Sequence, residues 1–470
     1  MSSRIGFETL DDEMTLESLP TEGEIPEWLD GTLVRNGPAK FEVGGRNMNH
    51  WFDGFAMLHA FRLRDGEVGY RNRFLRSDAY TEATEEGNLT RREFATDPCR
   101  SIFKRLFQTF FGNDGTDNAC VNVTRAADKH IAMTETPMDV VFDLETLETE
   151  GHFDYEDDLG LDTASAHPHF DFDREELLNL GLNFGGTSHY RIYTQPADSG
   201  SRASVVRHPV DRPGYMHSFA VTEKYVVMTE CPWVLNPLTL LAFDKPFAEH
   251  FEWKPEQGSR FLVFDRNDGE LVTEASGPAM FTFHHVNAWE DRGSLYVDLS
   301  AYPSAAAVES LMLDRLRTHS HGELGARMRR FEIPLNETSS AREHALPEHS
   351  LELPRIDYRP RNGRPYRYVW GVGQSDPGEF IDHLVKMDVD SGEVSTWSED
   401  DAYPGEPVFV PRPDRDPDSG EDDGVILSVV LKGEDERSHL SIMDAADLEE
   451  IGRARLPHHI PFGFHGHFYG

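Results

Sequence analysis

Cysteine and long apolar runs are scarce in this 470-residue chain, and each shortage excludes a class of protein. The three cysteines, Cys99, Cys120 and Cys231, are too few and too widely spaced for a disulfide framework or a zinc ribbon. No apolar run approaches the roughly 18 residues that a transmembrane helix needs. The first residues, MSSRIGFETLDDEM, lack the apolar segment of a secretory signal. We therefore expect a cytoplasmic protein whose contact with a membrane is at most peripheral.

Positive charge is also scarce. The chain has 45 basic and 84 acidic residues, which gives a formal net charge of −39, and only eight of the basic residues are Lys. Repulsion from phosphate argues against a nucleic-acid partner. Excess carboxylate with few Lys is typical of proteins from salt-adapted organisms, where salt screens the self-repulsion. We expect a halophilic archaeal source, and an ordinary acidic cytosolic protein is the alternative.

A repeated unit is present: a short apolar strand ends in Asp, and a polar turn leads to a second strand. The four copies are VVFDLETLETEG, FLVFDRNDGELV, LVKMDVDSGEVSTW and LSIMDAADLEEIG, with the Asp at 143, 265, 388 and 444. These positions lie 122, 123 and 56 residues apart, so the long gaps are about twice the short one. That spacing is typical of propeller blades of roughly 50 to 60 residues, seven or eight in this chain. Generic turns of a β-meander are the alternative.

Other segments also favour an all-β protein. Residues 225–230, 294–302 and 424–431 are short, apolar and β-branched, as strands are. Helical patterns are few: 305–319 is the best helix and 101–111 is another. No linker or low-complexity stretch divides the chain. The sequence therefore predicts one β-propeller domain over residues 1–470, with helical excursions on one face.

Four of the 22 histidines lie beside apolar runs that read as strands, next to small or aromatic residues. They occur in ASAHPHFD, YMHSFAVT, FTFHHVNAWE and PFGFHGHFYG: His167, His217, His284 and His465. Their separations of 50, 67 and 181 residues match one, one and three blades. Equivalent positions on the inner strands of a propeller converge on its axis. Four imidazoles suit Fe, Cu, Zn or Ni, and composition alone neither chooses among these metals nor singles out these four histidines.

An ordered set of motifs resembles the carotenoid cleavage oxygenases, the family that includes the isomerase of the retinal pigment epithelium. The first motifs are GTLVRNGPA (31–39), HWFDGFAMLHAF (50–61), TDPCRSIF (96–103), TDNACVNV (116–123) and MTET (133–136). After the four histidine motifs come SLELPRIDY (350–358), GEPVFVPRPD (405–414) and GFHG (463–466). One motif alone is weak evidence, but the set spans nearly the whole chain in order. The resemblance implies a seven-bladed β-propeller with a dome of helices and loops over an axial metal.

The resemblance also implies which residues form the site. The Fe(II) ligands would be His167 in AHPH, His217 in MHSF, His284 in FHHVN and His465 in GFHG. The adjacent His169, His285 and His467 would then not be ligands. Second-sphere glutamates, which orient metal-bound histidines, would be Glu135 in TET, Glu352 in LELP and Glu406 in GEPVFV. In the family three of the four ligands have a Glu partner, but the sequence does not show which Glu pairs with which His.

The chemistry implied by the resemblance is insertion of O₂ across one double bond of a lipophilic polyene, a carotenoid or apocarotenoid, to give aldehydes. Retinal is an attractive product if the source is a halophilic archaeon. Three alternatives stay open: a non-oxygenative isomerase, a stilbenoid-cleaving oxygenase, and a propeller that only binds a partner. The stilbenoid enzymes of the family recognise a phenol with a Tyr and Lys pair. No Lys lies between Lys104 and Lys129, where the Lys of that pair would be expected, so the stilbenoid alternative is ranked below the isomerase. The sequence does not indicate the bond that is cleaved or the oligomeric state.

We expect the aromatic segment 101–111 to take part in the entry of substrate from a membrane. On a helix Phe103, Phe107 and Phe110 would share one face, with Leu106 and Phe111 close by. Two positive charges interrupt the segment, as in helices that rest on anionic lipid. A second apolar stretch, 231–243, is a candidate for the same surface. We therefore expect peripheral membrane contact at the tunnel mouth, with burial in the dome or under another subunit as the alternative.

Overall fold

Seven antiparallel sheets surround a common axis. The computed structural model describes residues 2–97, 115–242, 245–320, 322, 324–335, 339–376, 378–416 and 419–470. In this part of the chain, edge strands of neighbouring sheets contact one another, for example Gly466–Tyr469 with Asn122–Ala126 and with Val408–Pro411. The fold is a seven-bladed β-propeller, as predicted.

We number the blades in the chain order of their innermost strands and give the strands of each blade from the axis outward. Blade 1 contains Asn122–Ala126, Lys129–Met133, Val140–Phe142 and Thr149–His152. Blade 2 contains Thr163–Ala164, His169–Asp171, Glu176–Asn183, Ser188–Pro196 and Ala203–Val210. Blade 3 contains Ala220–Val221, Tyr225–Glu230, Ser259–Asp265, Leu271–Gly277 and the parallel Ser339–Ser340. Blade 4 contains Phe281–Asp291, Ser294–Tyr302, Arg327–Pro334 and Arg342–His344.

The remaining blades involve both ends of the chain. Blade 5 contains Glu352–Arg355, Tyr368–Gly373, His383–Asp388 and Val394–Trp397. Blade 6 contains Ala402–Pro404, Val408–Pro411, Gly424–Lys432, Arg437–Asp444, Glu450–Arg455 and Thr21–Gly23. Blade 7 contains Gly466–Tyr469, Gly31–Lys40, Phe55–Arg64, Glu67–Phe74 and Thr15–Leu16. The last strand of the chain is thus the inner strand of a blade made from the first residues, which closes the ring.

The Asp-turn repeat marks equivalent positions in the blades. Asp143, Asp265, Asp388 and Asp444 end strands of blades 1, 3, 5 and 6, so the long gaps span two blades and the short gap spans one. Each of the four Asp side chains accepts a backbone N–H of the following turn, at 2.7 to 3.1 Å. Such bonds fix a tight turn between neighbouring strands. The predicted strands at 225–230, 294–302 and 424–431 are present as well.

Apolar clusters fill the spaces between successive blades. Val227 of blade 3 shares a fully buried cluster with Leu295 and Phe331 of blade 4, and Trp370 of blade 5 shares another with Ile426 of blade 6. Because both faces of these sheets pack against a neighbour, their strands read as continuous apolar runs rather than alternating ones. Gly424–Lys432 is an example, with seven of nine residues buried. The inner strands that carry the site are held by this packing.

Helices are short and lie mainly in loops on one side of the propeller. The α-helices are Asp78–Glu86, Pro237–Ala242, Ala306–Ser310, Leu313–Thr318 and Tyr358–Arg361. Turns of 3₁₀ helix are Ser2–Phe7, Trp51–Asp53, Phe247–His250 and Pro255–Gln257. Two small hairpins complete the fold: Glu42–Val43 with Arg46–Asn47, and Trp233–Leu235 with Phe251–Trp253. No helix within these described residues is long and apolar enough to cross a membrane.

The helix predictions need correction. The helix expected over 305–319 is two helices, because Met312 is extended and pairs with His50, and the N–H of Leu313 donates to the Asn49 carbonyl. The sequence interpretation missed Asp78–Glu86, although Ser77 at its N-cap and the left-handed Gly87 at its C-cap are typical helix boundaries. The segment 101–111 lies outside the described residues.

Candidate metal centre

Four imidazoles meet on the propeller axis. His167, His217, His284 and His465 each present one ring nitrogen, and the four nitrogens lie within 4.8 Å of one another. The Nε2 atoms of His167 and His217 are 2.9 Å apart, and those of His284 and His465 are 3.2 Å apart. Three of the side chains are buried and His167 is partly buried. The structure thus brings together all four histidines that the sequence singles out.

Each of these histidines lies where an inner strand is interrupted. His167 falls between the two inner strand segments of blade 2, His217 lies three residues before the inner strand of blade 3, and His465 directly precedes that of blade 7. His284 lies inside Phe281–Asp291, but the register with the next strand shifts between Thr282 and His285. A bulge of this kind turns a side chain out of the alternating pattern. The interruptions therefore aim the imidazoles at the axis.

The three predicted glutamates accept hydrogen bonds from these imidazoles. Nδ1 of His217 donates to Glu135 at 2.7 Å, Nδ1 of His284 to Glu352 at 2.6 Å and Nδ1 of His465 to Glu406 at 2.7 Å. No carboxylate within the described residues contacts the His167 ring. A carboxylate on Nδ1 fixes the tautomer and leaves the Nε2 lone pair free. The structure therefore pairs Glu135 with His217, Glu352 with His284 and Glu406 with His465, which the sequence alone did not indicate.

Glu352 is held by an unusual backbone. The register of blade 5 shifts between Glu352 and Arg355, and Leu353 adopts a positive φ of 49°, where a branched residue is strained. The N–H of Leu353 donates to the Glu352 carboxylate at 2.6 Å. The strained turn thus points the carboxylate back at His284. Glu406 likewise falls in the gap between the strands Ala402–Pro404 and Val408–Pro411.

Four further residues hold the glutamates, and the sequence interpretation missed them: Tyr215, Tyr302, Arg35 and Arg355. The Tyr215 hydroxyl donates to Glu135 at 2.6 Å. Burial and the adjacent Glu352 charge raise the pKa of Tyr302 well above its usual value, which places this phenol beside Glu352. Arg35 and Arg355 both pair with Glu406, the latter at 2.9 Å. Sequence signals existed, because Tyr215 is two residues before His217 and Arg355 is three after Glu352, inside the matched motifs.

Burial opposes protonation of His167 and His465. Burial, reinforced by the neighbouring rings, lowers the pKa of His167 well below its usual range. Burial also lowers the pKa of His465 to about 3, despite the adjacent Glu406. Burial alone would raise the pKa of Glu406, but Arg355, His465 and Arg35 together hold it well below its ordinary value. His167 and His465 are therefore available as neutral nitrogen donors, and an ionised Glu406 stands behind His465.

Comparison with known proteins identifies the family. Residues 7–470 match the family model described as Retinal pigment epithelial membrane protein. The chain is 33% identical to a mitochondrial carotenoid-cleaving dioxygenase of Mustela putorius furo (98% of this chain, 95% of the relative). It is 34% identical to a carotenoid isomerooxygenase of Galleria mellonella (99% and 96%) and 32% identical to human beta,beta-carotene 15,15'-dioxygenase (95% and 91%). The chain belongs to the carotenoid cleavage oxygenase family.

Solved structures agree with this assignment. A Synechocystis apocarotenoid oxygenase variant superimposes with a TM-score of 0.88 at 27% identity and covers 100% of this chain and 98% of its own. The cobalt-substituted form of that oxygenase gives 0.87 at 28% identity, with the same coverage. Family and fold together make the chain a metal-dependent oxygenase, and the non-catalytic propeller is the wrong interpretation.

In this oxygenase the histidines next to the four are engaged elsewhere. His169 bonds the Tyr358 hydroxyl (3.0 Å) and the Phe219 carbonyl (2.9 Å). Both ring nitrogens of His285 bond hydroxyls at 2.8 Å, those of Ser218 and Thr229. The His467 ring packs against Tyr469, with 4.8 Å between ring centroids.

A second acidic cluster of the oxygenase is a helix cap. Asp78, Asp117 and His152 lie close enough to hold an ion. Asp117, however, accepts the N–H groups of Asp78 and Ala79 at the start of Asp78–Glu86, at 2.7 and 2.8 Å. It also pairs with Arg91. These contacts already satisfy the carboxylate, so the cluster serves as a helix cap.

A cavity of about 430 Å³ leads to the histidine cluster of the oxygenase. Its wall is mostly apolar, and His217, His284 and His465 form part of it. Aromatic rings dominate near the histidines: Trp51, Phe52, Phe94, Phe283, Phe380 and Phe464. A long apolar cavity with few polar groups suits a lipophilic ligand.

The predicted membrane-facing residues Phe103, Leu106, Phe107, Phe110 and Phe111 lie outside the described residues. The second apolar stretch is largely internal, because Cys231, Trp233, Val234 and Leu235 are buried. Among residues 231–240, Leu238 on the helix Pro237–Ala242 is 66% exposed. The expectation that all of 231–243 faces lipid is therefore too broad.

Proposed function

We propose that the enzyme is a non-haem Fe(II) dioxygenase that cleaves one C=C bond of a carotenoid or apocarotenoid with O₂ and releases two carbonyl products, aldehydes in the simplest case. The observation that carries the proposal is the close approach of two Nε2 atoms. His284 and His465 each hydrogen-bond to a carboxylate through Nδ1, and their Nε2 atoms are 3.2 Å apart, so the Nε2 lone pairs of the neutral rings face each other. Two lone pairs at that distance repel unless a cation lies between the rings.

The donor set fits iron. All four nitrogens come from imidazole, which suits Fe, Cu, Zn or Ni and disfavours Mg and Ca. Zinc does no redox chemistry and therefore does not meet the need of a dioxygenase. Four neutral ligands leave the divalent charge uncompensated, and the three glutamates supply negative charge behind the histidines. Iron(II) bound here would supply the O₂-activating centre, with coordination positions left open for O₂.

The protein residues position the polyene and exclude water. Phe52, Phe283 and Phe464 stand beside the histidines in the cavity wall, where flat rings can pack against a conjugated chain. The wall contains few groups able to transfer protons to a substrate, and Glu135, Glu352 and Glu406 are engaged with Nδ1 protons. The register of the polyene in the cavity then decides which double bond faces the metal.

Product analysis under ¹⁸O₂ tests this proposal. The purified enzyme, loaded with Fe(II) without oxygen, is exposed to ¹⁸O₂ with β-carotene or an apocarotenal, and the products are separated by chromatography. We expect two labelled carbonyl compounds, and their lengths identify the bond. Retinal from β-carotene would show central cleavage, the reaction named for the human relative.

The variants His284→Ala and His344→Ala make a matched pair for that assay. His344 lies on the outer strand of blade 4 and pairs with Glu332, away from the centre. The proposal expects loss of cleavage in the first variant and retention in the second. Isomerised polyene without cleavage would favour the isomerase alternative, and cleavage of stilbenoids alone would favour the stilbenoid-cleaving oxygenase.

We also propose that the enzyme contacts membranes peripherally at the cavity mouth. The exposed Leu238 lies on the same short helix as Leu240, which lines the cavity, so an apolar surface adjoins the entrance. Phe107→Asp combined with Phe110→Asp should reduce co-flotation of the enzyme with anionic vesicles. Leu271→Asp, at an exposed position in an outer strand of blade 3, is the control. Unchanged flotation of the double variant would contradict this proposal.

A further inference from the structure

A buried carboxyl group lies in the wall of the cavity, separate from the histidines and their glutamates. Glu93 is only 5% exposed and lines the cavity with its neighbours Arg92 and Phe94. The Phe94 carbonyl accepts the N–H of Ala248 at 3.1 Å, so this segment is fixed beside Phe247, another lining residue. Glu93 thus faces the space that the substrate occupies.

Glu93 has little to compensate a negative charge. The Thr116 hydroxyl donates to its Oε1 at 2.9 Å. No cationic side chain within the described ranges forms an ion pair with it. Burial raises the pKa of Glu93 well above its ordinary value, and the nearby Asp53 carboxylate raises it further. Burial without a compensating cation therefore favours the neutral form of Glu93, which has one O–H to donate.

Asp53 differs from Glu93 because the protein donates several hydrogen bonds to the Asp53 carboxylate. It accepts the Thr96 hydroxyl at 2.5 Å and the N–H groups of Ala95 and His50 at 2.9 and 3.0 Å. Although burial raises the pKa of Asp53 to about 6, these bonds oppose the effect. The two adjacent acids thus differ in their surroundings, because three donors stabilise a charge on Asp53 and Glu93 lacks such a set of donors.

Other polar groups near Glu93 are already engaged. The side-chain amide of Asn118 donates to the carbonyls of Asp53 and Gly54, at 3.3 and 2.9 Å. The Thr136 hydroxyl donates to the Thr116 carbonyl at 2.7 Å. Among the described residues, these contacts leave the Glu93 carboxyl group able to donate to a ligand on this side of the cavity.

We propose that Glu93 determines substrate specificity by donating a hydrogen bond to an oxygen atom at one end of the polyene. The enzyme then prefers carotenoids or apocarotenoids with a carbonyl or hydroxyl end group over hydrocarbon carotenes. This inference rests on the proposed function and narrows its substrate class. A hydrocarbon end would leave the buried O–H unpaired, and sites built to bond an oxygen reject analogues that lack it.

Binding and turnover of two polyenes of equal conjugated length test the proposal, one an apocarotenal and the other the matching hydrocarbon. Affinity is measured without oxygen by quenching of tryptophan fluorescence, and kcat/KM is measured in air. We expect the native enzyme to bind the aldehyde about tenfold more tightly, as one buried hydrogen bond allows. The preference should appear in KM more than in kcat, because the bond is remote from the reacting carbons.

Three variants assign the preference to Glu93. Glu93→Leu should reduce the preference for the aldehyde to about the ratio of the partition coefficients of the two polyenes. Glu93→Gln should keep most of the preference, because an amide N–H still donates. Asp139→Asn is the matched control, since Asp139 is also a buried acid whose pKa burial raises, to about 7, but it lies outside the cavity.

Three results would overturn the proposal: equal binding of both polyenes by the native enzyme, an unchanged preference in Glu93→Leu, or equal losses in the Gln and Leu variants. The first result is decisive even if a variant does not fold. Failure of the proposed function looks different, because the iron-loaded native enzyme would then cleave neither polyene.

Discussion

Glu406 contacts more positively charged side chains than the other two glutamates of the site. Its carboxylate is 1% exposed and meets two guanidinium groups, those of Arg35 and Arg355, as well as His465. Glu135 meets only a tyrosine hydroxyl and His217. Loss of the Glu406 charge leaves the buried Arg35 without its counter-ion. Loss of the Glu135 charge leaves no positively charged side chain unpaired.

Glu406→Gln should therefore destabilise the protein more than Glu135→Gln. Breaking a buried ion pair by removing one partner costs about 3 kcal/mol or more. The corresponding cost for Glu135 is about 1 kcal/mol, that of a weakened hydrogen bond. Urea unfolding of the metal-free variants gives both free energies. Equal values, or a more stable Glu406→Gln, would contradict the structural role of the ion pair.

At the scale of elements, the Asp turns stabilise the hairpins of the blades. The Asp143 carboxylate accepts the N–H of Thr146 at 2.7 Å and the N–H of Glu145 at 3.0 Å. Asp143→Ala should lower the free energy of unfolding by about 1 kcal/mol, as the loss of a cap does. Glu150→Ala, at an exposed outer-strand position of the same blade, should change it by less than about 0.5 kcal/mol.

The effect of Asp143 should depend on pH. The side-chain and backbone hydrogen bonds of Thr146 lower the pKa of Asp143 in the folded state. A carboxyl group with a lowered folded-state pKa adds stability above its unfolded pKa, and that stability is lost as the pH falls through the folded value. The difference between native and Asp143→Ala protein should shrink between neutral pH and about pH 3. A difference that grows on acidification would exclude this cause.

The closing strand of blade 7 has no room for a side chain at Gly466. A Cβ there would lie 2.5 Å from the Val34 carbonyl oxygen and 2.7 Å from Cδ of Arg35, which pairs with Glu406. Gly466→Ala should therefore separate the last strand from Gly31–Lys40 and shift His465. We expect a loss of at least about 2 kcal/mol, measured by thermal unfolding. Gly186→Ala, where no atom lies within 4 Å, is the control and should unfold like the native protein.

Local features of the fold could be predicted from the sequence, whereas contacts between distant residues could not. The Asp turns are local, so the four copies with Asp at 143, 265, 388 and 444 were sufficient to predict the blade spacing. The Glu–His pairs are not local: partners are 59 to 82 residues apart and meet only after the propeller closes. Arg35 lies 371 residues from Glu406. No local pattern reports such contacts, so the motif match gave the residues of the site but not their pairing.

For the whole molecule, the net charge of −39 should make stability depend on salt. Exposed carboxylates repel one another over a Debye length of about 10 Å at 0.1 M salt and about 3 Å at 1 M. We expect the unfolding temperature to rise steadily from 0.1 M to 2 M KCl, and NaCl to act equally if screening is the cause. A flat or falling unfolding temperature would argue against salt adaptation.

The central claim is that four histidines at the propeller axis hold one catalytic iron. Its most direct test is an anaerobic Fe(II) titration of the metal-free enzyme, with bound iron and polyene cleavage measured on the same samples. The account predicts that cleavage rises with bound iron and saturates at about one iron per chain, and that His284→Ala neither binds iron tightly nor cleaves. Full cleavage without iron, or tight iron binding by His284→Ala, would contradict it.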